Sequence, residues 1–372
     1  MKPSQHLLIW SLLCGTSAHA QLVVDTSMTP TELVQDILVG PDITVTNIEF
    51  NGLSGDLPNE QIGSFSNGGS ALGWSTGLII ATGSVFVAEG PNDVSSATLG
   101  GGNFGDSDAD LEVLSGYAMN DRAMLEMDFI PSTDNIQLLF AFGSEEYPEY
   151  VCSTVNDVFA ILVSGPGISG PFMNSAINIA VVPGTTVPIS INSVNSGTVG
   201  ANGMESNCTA ADPNWQTNSI YYLENADTSA MQFDGQTVAL SAIAGLQAGS
   251  TYHLKIAIAD AGDTSFDSAV FLAANGFTSD INTGAQTMEG GRTTPHVAFQ
   301  HDQLVVDHFP AAVNALTILD GMGRLISDRA VARIQERLSI PLQGIEAGLY
   351  VLHLSGANGY HDVLKFVVDE PR

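Results

Sequence analysis

Residues 142–165 of the chain, FGSEEYPEYVCSTVNDVFAILVSG, place a strongly charged loop between two apolar stretches. The apolar stretch before the loop is NIQLLFAFG (135–143), and the one after it is DVFAILVSG (157–165). Short apolar runs that are rich in aromatic and β-branched residues and end at turn residues are typical of buried strands. The sequence therefore predicts two strands joined by an acidic loop.

Runs of the same kind, separated by Gly, Asn, Ser and Pro, predict a series of further strands. They lie at 43–50, 77–83, 123–130, 175–184, 236–245, 251–260 and 268–277. Many short strands with turn signals between them are typical of an antiparallel sandwich. We therefore predict an all-β fold, in the form of a large antiparallel β-sandwich of the jelly-roll or lectin-like type.

One helix is predicted ahead of the strands, in TPTELVQDILVG (29–40). Thr29 can cap this helix, Pro30 suits its first position and Glu32 completes a capping box. Gly40 is expected to end it. The buried side of the helix is expected to consist of three aliphatic side chains, Leu33, Ile37 and Leu38.

The charge is distributed unevenly along the 372 residues, whose formal net charge is −30. Between residues 21 and 290 there are 31 acidic residues and only two basic ones, Arg122 and Lys255, whereas the remaining tail is nearly neutral. Such an acidic surface repels nucleic acid and attracts divalent cations and cationic partners. We therefore expect no nucleic-acid partner, and a solvated acidic surface alone would also explain the charge.

The N-terminus has the pattern of a secretory signal peptide, predicted to span 1–20. Lys2 supplies a positive start, LLIWSLLCG (7–15) is the apolar stretch, and SAHA (17–20) offers small residues for cleavage. Cys14 leaves open the alternative of a lipoprotein. Because no other segment reaches transmembrane length, we expect a soluble exported protein that is secreted or held at the outer cell surface.

Two cysteines, Cys152 and Cys208, remain after removal of the predicted signal peptide. An even number of cysteines in an oxidising compartment makes a single disulfide the default expectation. This bond would tie the acidic loop to GMESNCTAADPNW (203–215), a polar loop more than fifty residues further on.

A second, smaller domain is predicted after residue 294. Residues 278–294 are rich in Gly, Thr and Ser and have no apolar periodicity, which is typical of a linker. Residues 295–372 contain a further set of strand-like runs, and the charge becomes nearly neutral at the same place. We predict a small immunoglobulin-like β-sandwich there.

Several motifs in the central region resemble those of the choice-of-anchor L domain. They are QIGSFSNGG (61–69), GLIIATG (77–83), FGSEEYPEY (142–150), NDVFAILVSGPGI (156–168), NIAVVPGTTVPISINSVN (178–195) and HLKIAIADAGDTSFDSAVFL (253–272). This family consists of large exported bacterial β-domains that are fused to differing C-terminal anchors. The resemblance implies that residues 21–277 form one such domain.

The tail resembles the type A sorting domain of the type IX secretion system. The resemblance lies in LTILDGMGRLI (316–326), in IPLQGIEAGLYVLHLSG (340–356) and in a final strand with a lysine, VLKFVV (363–368). It implies export through the Sec pathway, passage across the outer membrane, and a partnership between residues 295–372 and the secretion machinery. Removal of the tail would follow, with attachment to the cell surface or release.

The acidic loops contain candidate oxygen ligands for a divalent cation, with Ca²⁺ as the expected cofactor. Buried carboxylates are costly unless a positive group neutralises them, and two basic side chains cannot serve every acidic loop. Ca²⁺ takes carboxylate oxygens supplied by loops. The candidate ligands are Glu145, Glu146, Asp157, Asp260, Asp263 and Asp267. The alternative is that each loop is a solvated turn.

A second acidic stretch, GDSDADLEVLSGY (105–117), resembles an EF-hand loop only superficially. An EF-hand requires Gly at its sixth position and Glu at its twelfth, where this chain has Leu111 and Tyr117. The stretch is therefore not an EF-hand. Two alternatives stay open: it holds an ion in another way, or it simply caps a short helix that begins near Asp110.

Histidine-based catalysis has little support in the central region. His253 is the only histidine between residues 21 and 290, and it lies within an alternating strand. A Ser-His-Asp triad or a histidine zinc site is therefore not expected. A carboxylate pair for glycoside hydrolysis stays open, because acidic residues are abundant.

Two aromatic residues, Trp215 and Tyr147, are candidates for contact with a ligand, although such residues more often pack in a core. We predict an exported β-sandwich that binds or adheres to an unidentified glycan or protein and that calcium stabilises. The alternatives are a secreted hydrolase of polysaccharide and a passive structural protein of the envelope or matrix.

Overall fold

A computed structural model describes residues 21–68, 71–100, 107–117, 119–225, 230–262 and 264–279, together with seven strands between residues 296 and 368. Contacts divide the chain into two compact units, Met1–Ile281 and Asn282–Arg372. The predicted signal peptide, and the predicted linker from residue 280 onward, lie outside the described residues.

The described part of the first unit contains fourteen strands. Their bounds are β1 Val23–Asp25, β2 Ile43–Phe50, β3 Leu53–Ser54, β4 Ile62–Ser66, β5 Gly77–Ala81, β6 Met119–Pro131, β7 Asn135–Ser144, β8 Val158–Ser164, β9 Ile177–Asn178, β10 Tyr222–Glu224, β11 Gly235–Thr237, β12 Leu240–Gly245, β13 Tyr252–Ala261 and β14 Ser268–Thr278.

These strands form two antiparallel sheets. The eight-stranded sheet has the order β1-β4-β5-β14-β7-β11-β10, and β12 also pairs with β7; the six-stranded sheet has the order β3-β2-β6-β13-β8-β9. Buried side chains of both sheets make one apolar cluster, in which Phe140 and Phe159 approach each other with ring centroids 5.3 Å apart. The predicted all-β sandwich is therefore confirmed.

Most predicted strands lie within a few residues of the observed ones, with two exceptions. The run at 175–184 forms only the short strand β9, and the chain then turns back with the Val182 N–H donating to the Val187 carbonyl. The run at 236–245 is divided between β11 and β12. At this break the Thr237 hydroxyl accepts a hydrogen bond from the Phe142 N–H, in the place of a backbone carbonyl.

The described helices are short. They are α1 Pro30–Glu32, which continues as a π-helical turn Leu33–Leu38, α2 Ala109–Ser115, α3 Glu205–Ala211, and three 3₁₀ segments at Val85–Ala88, Met173–Ser175 and Trp215–Tyr221. The predicted capping box of Thr29 and Glu32 is present. Val34 is fully buried, whereas Ile37, which was expected on the buried side, is only partly buried against the same apolar cluster. The π-helical hydrogen bond from the Val39 N–H to the Val34 carbonyl explains this difference, because it turns the buried face.

Helix α2 is present near Asp110, where a short helix was one of the two alternatives, and Asp108 caps it. Leu111 of this helix packs with Ala160 and Ala257 on the outer face of the six-stranded sheet. Strand β8 is consequently buried on both faces. No helix among the described residues is long and apolar enough to cross a membrane.

The second unit contains two antiparallel sheets in its described strands. These are β15 His296–Gln300, β16 Gln303–Asp307, β17 Val313–Asp320, β18 Leu325–Ala330, β19 Arg337–Pro341, β20 Gly348–Gly356 and β21 His361–Val368. One sheet has the order β15-β16-β19 and the other has the order β18-β17-β20-β21. The described elements of this unit are all strands, as the sequence predicts.

Candidate functional site

Several strands of the two sheets in the first unit end or begin at the same rim of the sandwich. In one sheet, Ser268 at the start of β14 pairs with Ser144 at the end of β7. In the other, Ala259 near the end of β13 pairs with Val158 at the start of β8. Five buried carboxylates lie at these strand ends, and we call them the acidic rim: Asp121, Glu145, Asp157, Asp260 and Asp267.

Asp260 is one of the two fully buried members of the acidic rim. Its side chain is 0% exposed, and neither carboxylate oxygen has a hydrogen-bond partner. The hydroxyl of Thr82 lies near it and lowers its pKa, but that hydroxyl donates to the Ser268 carbonyl, at 3.5 Å. A buried polar group without a hydrogen-bond partner costs about 1–3 kcal/mol, and a charged carboxylate costs more.

The members of the rim repel one another electrostatically. Burial raises the pKa of Asp260 well above its usual value, and the negative charges of Asp157, Asp267 and Asp121 raise it further. Burial also raises the pKa of Asp267 to about 7, and that of Glu145 to about 8. Each of these groups therefore holds a proton more tightly than an exposed carboxyl does, unless a cation takes the place of that proton.

Three of the rim carboxylates have hydrogen bonds that fix their positions. Asp157 accepts from the Ser268 hydroxyl at 2.6 Å and from the Ala261 N–H at 3.3 Å. Asp267 accepts from the Leu99 N–H at 2.7 Å. Glu145 accepts from the Ala97 N–H at 3.3 Å through Oε2, whereas its buried Oε1 has no partner.

The rim includes one residue that the sequence did not indicate. Asp121 lies where the pairing between β6 and β13 shifts, between Ile258 and Asp260, and its φ is +48°. Such a β-bulge re-aims a side chain relative to the regular strand. Because Asp121 stands at the start of an otherwise alternating strand, periodicity alone gives no signal that it belongs with the acidic loops.

Neither basic side chain of residues 21–290 forms an ion pair with the rim. Lys255 donates to Asp108 at 2.6 Å and to Asp110 at 2.9 Å, on the outer face of the six-stranded sheet. Arg122 forms no ion pair among the described residues; its guanidinium donates to the Ser107 carbonyl at 3.5 Å, and its Nε is buried without a partner. Ion pairs with Lys255 or Arg122 therefore do not account for the burial of the rim carboxylates.

The candidate calcium ligands are only partly brought together. Asp157, Asp260, Asp267 and Glu145 share the rim, whereas Asp263 lies outside the described residues. Glu146 is buried beside them, with its N–H donating to the Ser144 hydroxyl at 2.9 Å. Within the described ranges, no three His, Cys, Asp or Glu side chains are already arranged around one metal position.

The two candidate aromatic contacts lie inside the apolar cluster between the sheets. Trp215 is 3% exposed and Tyr147 is 0% exposed, and the Tyr147 hydroxyl donates to the Val194 carbonyl at 2.6 Å. Neither ring offers a surface on which a ligand could stack, because the core already covers both. They support the loop after β7 and do not form a binding face.

The predicted disulfide between Cys152 and Cys208 is confirmed, with the two Cα atoms 4.8 Å apart. It joins the loop after β7 to helix α3. The Cys152 carbonyl also accepts hydrogen bonds from the Met204 N–H, at 2.8 Å, and from the Asn207 side chain, at 2.9 Å. The covalent bond and these contacts hold the loop that begins with Glu145 and Glu146.

His253 lies on the outer face of the six-stranded sheet between two carboxylates. Its Nδ1 is 2.9 Å from Asp128 and its Nε2 is 3.3 Å from Glu126. The hydrogen bond with Glu126 raises the pKa of His253, and the one with Asp128 adds to this effect. Because both ring nitrogens contact carboxylates, His253 is not paired with a hydroxyl nucleophile in the described structure.

The fold and the site define an acidic, disulfide-bonded β-sandwich domain with buried carboxylates at one rim. The chain belongs to the Choice-of-anchor L domain family, whose sequence profile matches residues 22–278. No curated protein matches the chain.

Some solved structures resemble parts of the chain at low identity. A DUF3244 family protein with an immunoglobulin-like β-sandwich from Bacteroides vulgatus is 17% identical over 20% of this chain and 83% of that one, with a TM-score of 0.19. The BSP domain of a biofilm-associated protein is 7% identical over 69% of this chain and 49% of that one, with a TM-score of 0.19. The adhesin domain of Epf from Streptococcus pyogenes is 9% identical over 68% and 78%, with a TM-score of 0.17. Likenesses at these scores do not bear on function.

Proposed function

We propose that this chain is an exported protein of the cell surface that binds or adheres through its β-sandwich, and that Ca²⁺ at the acidic rim stabilises the sandwich. The observation that carries the calcium proposal is the Asp260 carboxylate, which is fully buried and has no hydrogen-bond partner. Membership of the Choice-of-anchor L domain family supports the location at the surface.

Calcium fits the chemistry of the rim because every potential ligand there is an oxygen. Carboxylates supplied by loops and strand ends are the ligands that this hard cation takes, in flexible geometries of six to eight oxygens. Soft metals are disfavoured, since the two cysteines are joined to each other. Binding would draw Asp157, Asp260 and Asp267 toward one position, with the Ser268 hydroxyl beside them.

The calcium proposal is tested by thermal unfolding of the chain, without its predicted signal peptide, in excess chelator and in excess Ca²⁺. The wild type is expected to melt at a higher temperature in Ca²⁺, because only the folded state gathers the ligands. Asp260→Asn should lose this difference, whereas Asp36→Asn, a change of an exposed aspartate, should keep it. Equal melting temperatures of the wild type in the two buffers would refute the proposal.

Delivery by type IX secretion is a separate part of the proposal. It rests on the resemblance of residues 316–368 to a type A sorting domain, and the two small sheets of the second unit are compatible with it. The test is expression in a host that has this pathway, with and without residues 295–372. Retention of the truncated chain in the periplasm supports the proposal, and normal surface display of that chain contradicts it.

The rival proposal is a polysaccharide hydrolase with a carboxylate pair. The pKa of about 8 for Glu145 is what a general acid needs. Against it, the Glu145 side chain is 0% exposed, so a sugar chain cannot reach it. Glycan-array binding measured beside a reducing-sugar assay separates the two functions: release of sugar that Glu145→Gln abolishes favours the hydrolase. If the protein neither binds a glycan nor releases sugar, the result would favour a passive structural protein.

A further inference from the structure

A polar pocket lies on the outer face of the six-stranded sheet, about 20 Å along β13 from the acidic rim. Its volume is about 180 Å³. Side chains of β6, β8 and β13 form its floor, and its walls are the N-terminus of α2 and the segment Met173–Ser175. Pockets for drug-sized ligands are larger, about 300 Å³ or more, so this one suits a single ring.

The charged groups in the pocket are already paired with one another. Lys255 lies between Asp108 and Asp110, at 2.6 and 2.9 Å. His253 contacts Glu126, and its other nitrogen contacts an aspartate outside the pocket. An anionic ligand would have to break one of these pairs, whereas a neutral polar ligand can add hydrogen bonds without disturbing them.

Three polar groups that line the pocket have no hydrogen-bond partner in the described part of the chain. They are the Glu126 Oε2, the Ser164 hydroxyl and the Asn174 side-chain amide. Ser164 is only 6% exposed, so its hydroxyl faces little but the pocket. The hydroxyl itself is open to the pocket, so a ligand there can form a hydrogen bond with it. Together the three groups offer both donors and acceptors, which is what a ring of hydroxyl groups requires.

The rest of the lining is apolar and is held in place by an unusual backbone. Met124, Leu162 and Ala176 contribute C–H surface to the pocket. Asn174 and Ser175 both have positive φ, +56° and +58°, in the wall opposite the sheet. Two successive non-glycine residues in this region store strain, and such strain collects at binding sites. The Met173 N–H donates to Asp110 at 2.8 Å, which fixes this wall against helix α2.

We propose that this pocket binds one neutral hexose unit of a glycan, with Glu126, Ser164 and Asn174 hydrogen-bonding its hydroxyl groups. The ring would rest its C–H face on Met124 and Leu162. This inference deepens the proposed binding function by naming its ligand class, and it is independent of calcium at the rim.

Saturation-transfer NMR with neutral methyl hexosides tests the proposal, on the chain without its predicted signal peptide. At least one of the methyl glycosides of glucose, galactose, mannose and N-acetylglucosamine should bind the wild type. The double variant Ser164→Ala, Asn174→Gly should bind it about tenfold more weakly or worse, since each lost hydrogen bond is worth about 1 kcal/mol. Glycine suits the positive φ of Asn174, so the variant should fold.

Asn275→Gly is the matched control, because Asn275 is also exposed, has a φ of +53° and lies in β14 away from the pocket. Its affinity for the hexoside should equal that of the wild type. Hexoside binding that the double variant retains refutes the pocket and leaves the binding function standing. The hexose proposal is also refuted if the wild type binds none of the hexosides. Displacement of a bound hexoside by oligolysine refutes it as well, because it would indicate a basic protein segment as the ligand. The calcium melt reports on the rim separately in every case.

Discussion

Replacing Asp267 by asparagine should change stability in opposite directions with and without calcium. The carboxyl of Asp267 is buried, and its pKa rises from 3.8 to about 7 in the folded protein. Asparagine has nearly the same shape but no charge, and its carbonyl can keep the hydrogen bond from the Leu99 N–H. The variant therefore isolates the effect of the charge.

The expected size follows from linkage between protonation and folding. A folded pKa above the unfolded value means that the folded state binds the proton more tightly, so stability falls as pH rises from 3.8 toward 7. At about 1.4 kcal/mol per pKa unit, the full loss is about 4 kcal/mol at pH 8. In chelator at pH 8, Asp267→Asn should be more stable than the wild type by up to about 4 kcal/mol, and the gain should vanish near pH 4.

In saturating Ca²⁺ the wild type should be more stable than Asp267→Asn. The variant lacks a ligand, whereas the wild type exchanges its protons for the metal ion. Urea unfolding followed by tryptophan fluorescence measures this in the first unit, since Trp74 and Trp215 lie there and the tail contains no tryptophan. Asp36→Asn, at an exposed position, is the control. If the variant in chelator at pH 8 is no more stable than the wild type, the reasoning about buried charge is refuted. If the variant is still more stable than the wild type in Ca²⁺, the metal site is refuted.

Three further predictions concern the same unit. Lys255→Met should destabilise it by about 3 kcal/mol in urea unfolding, because two buried aspartates lose their common cation; a change below 1 kcal/mol (roughly the value of an exposed pair) would show that those aspartates are solvated. Replacing both Cys152 and Cys208 by serine should cost about 4 kcal/mol, since the bond closes a loop with a sequence separation of 56; an unchanged unfolding midpoint would contradict this. His253 should titrate above 6.5 by NMR, because its carboxylate neighbours raise its pKa, and its contribution to stability should be complete below 6.5 and disappear as pH rises through the folded pKa. A midpoint at or below 6.5 would contradict the observed contacts.

Local signals in the sequence were sufficient for the elements whose partners are close in the chain or whose pattern is regular. The capping box of Thr29 and Glu32 was readable because it involves residues three apart. Strand β2 was predicted with its observed bounds, Ile43–Phe50, from apolar alternation alone. The break between β11 and β12 was not readable, because it depends on the Thr237 hydroxyl bonding to the Phe142 N–H on another strand.

The composition of the chain determined that carboxylates would outnumber their possible cationic partners, and its strand pattern determined that acidic loops would follow apolar strands. Only the tertiary structure decided which carboxylates share an interior. It placed Asp121 among them through a bulge, and it directed Lys255 to a different face of the sheet. The physical reason is that a charge's partner and its exposure depend on how strands distant in sequence are paired, and this pairing is not contained in any local pattern.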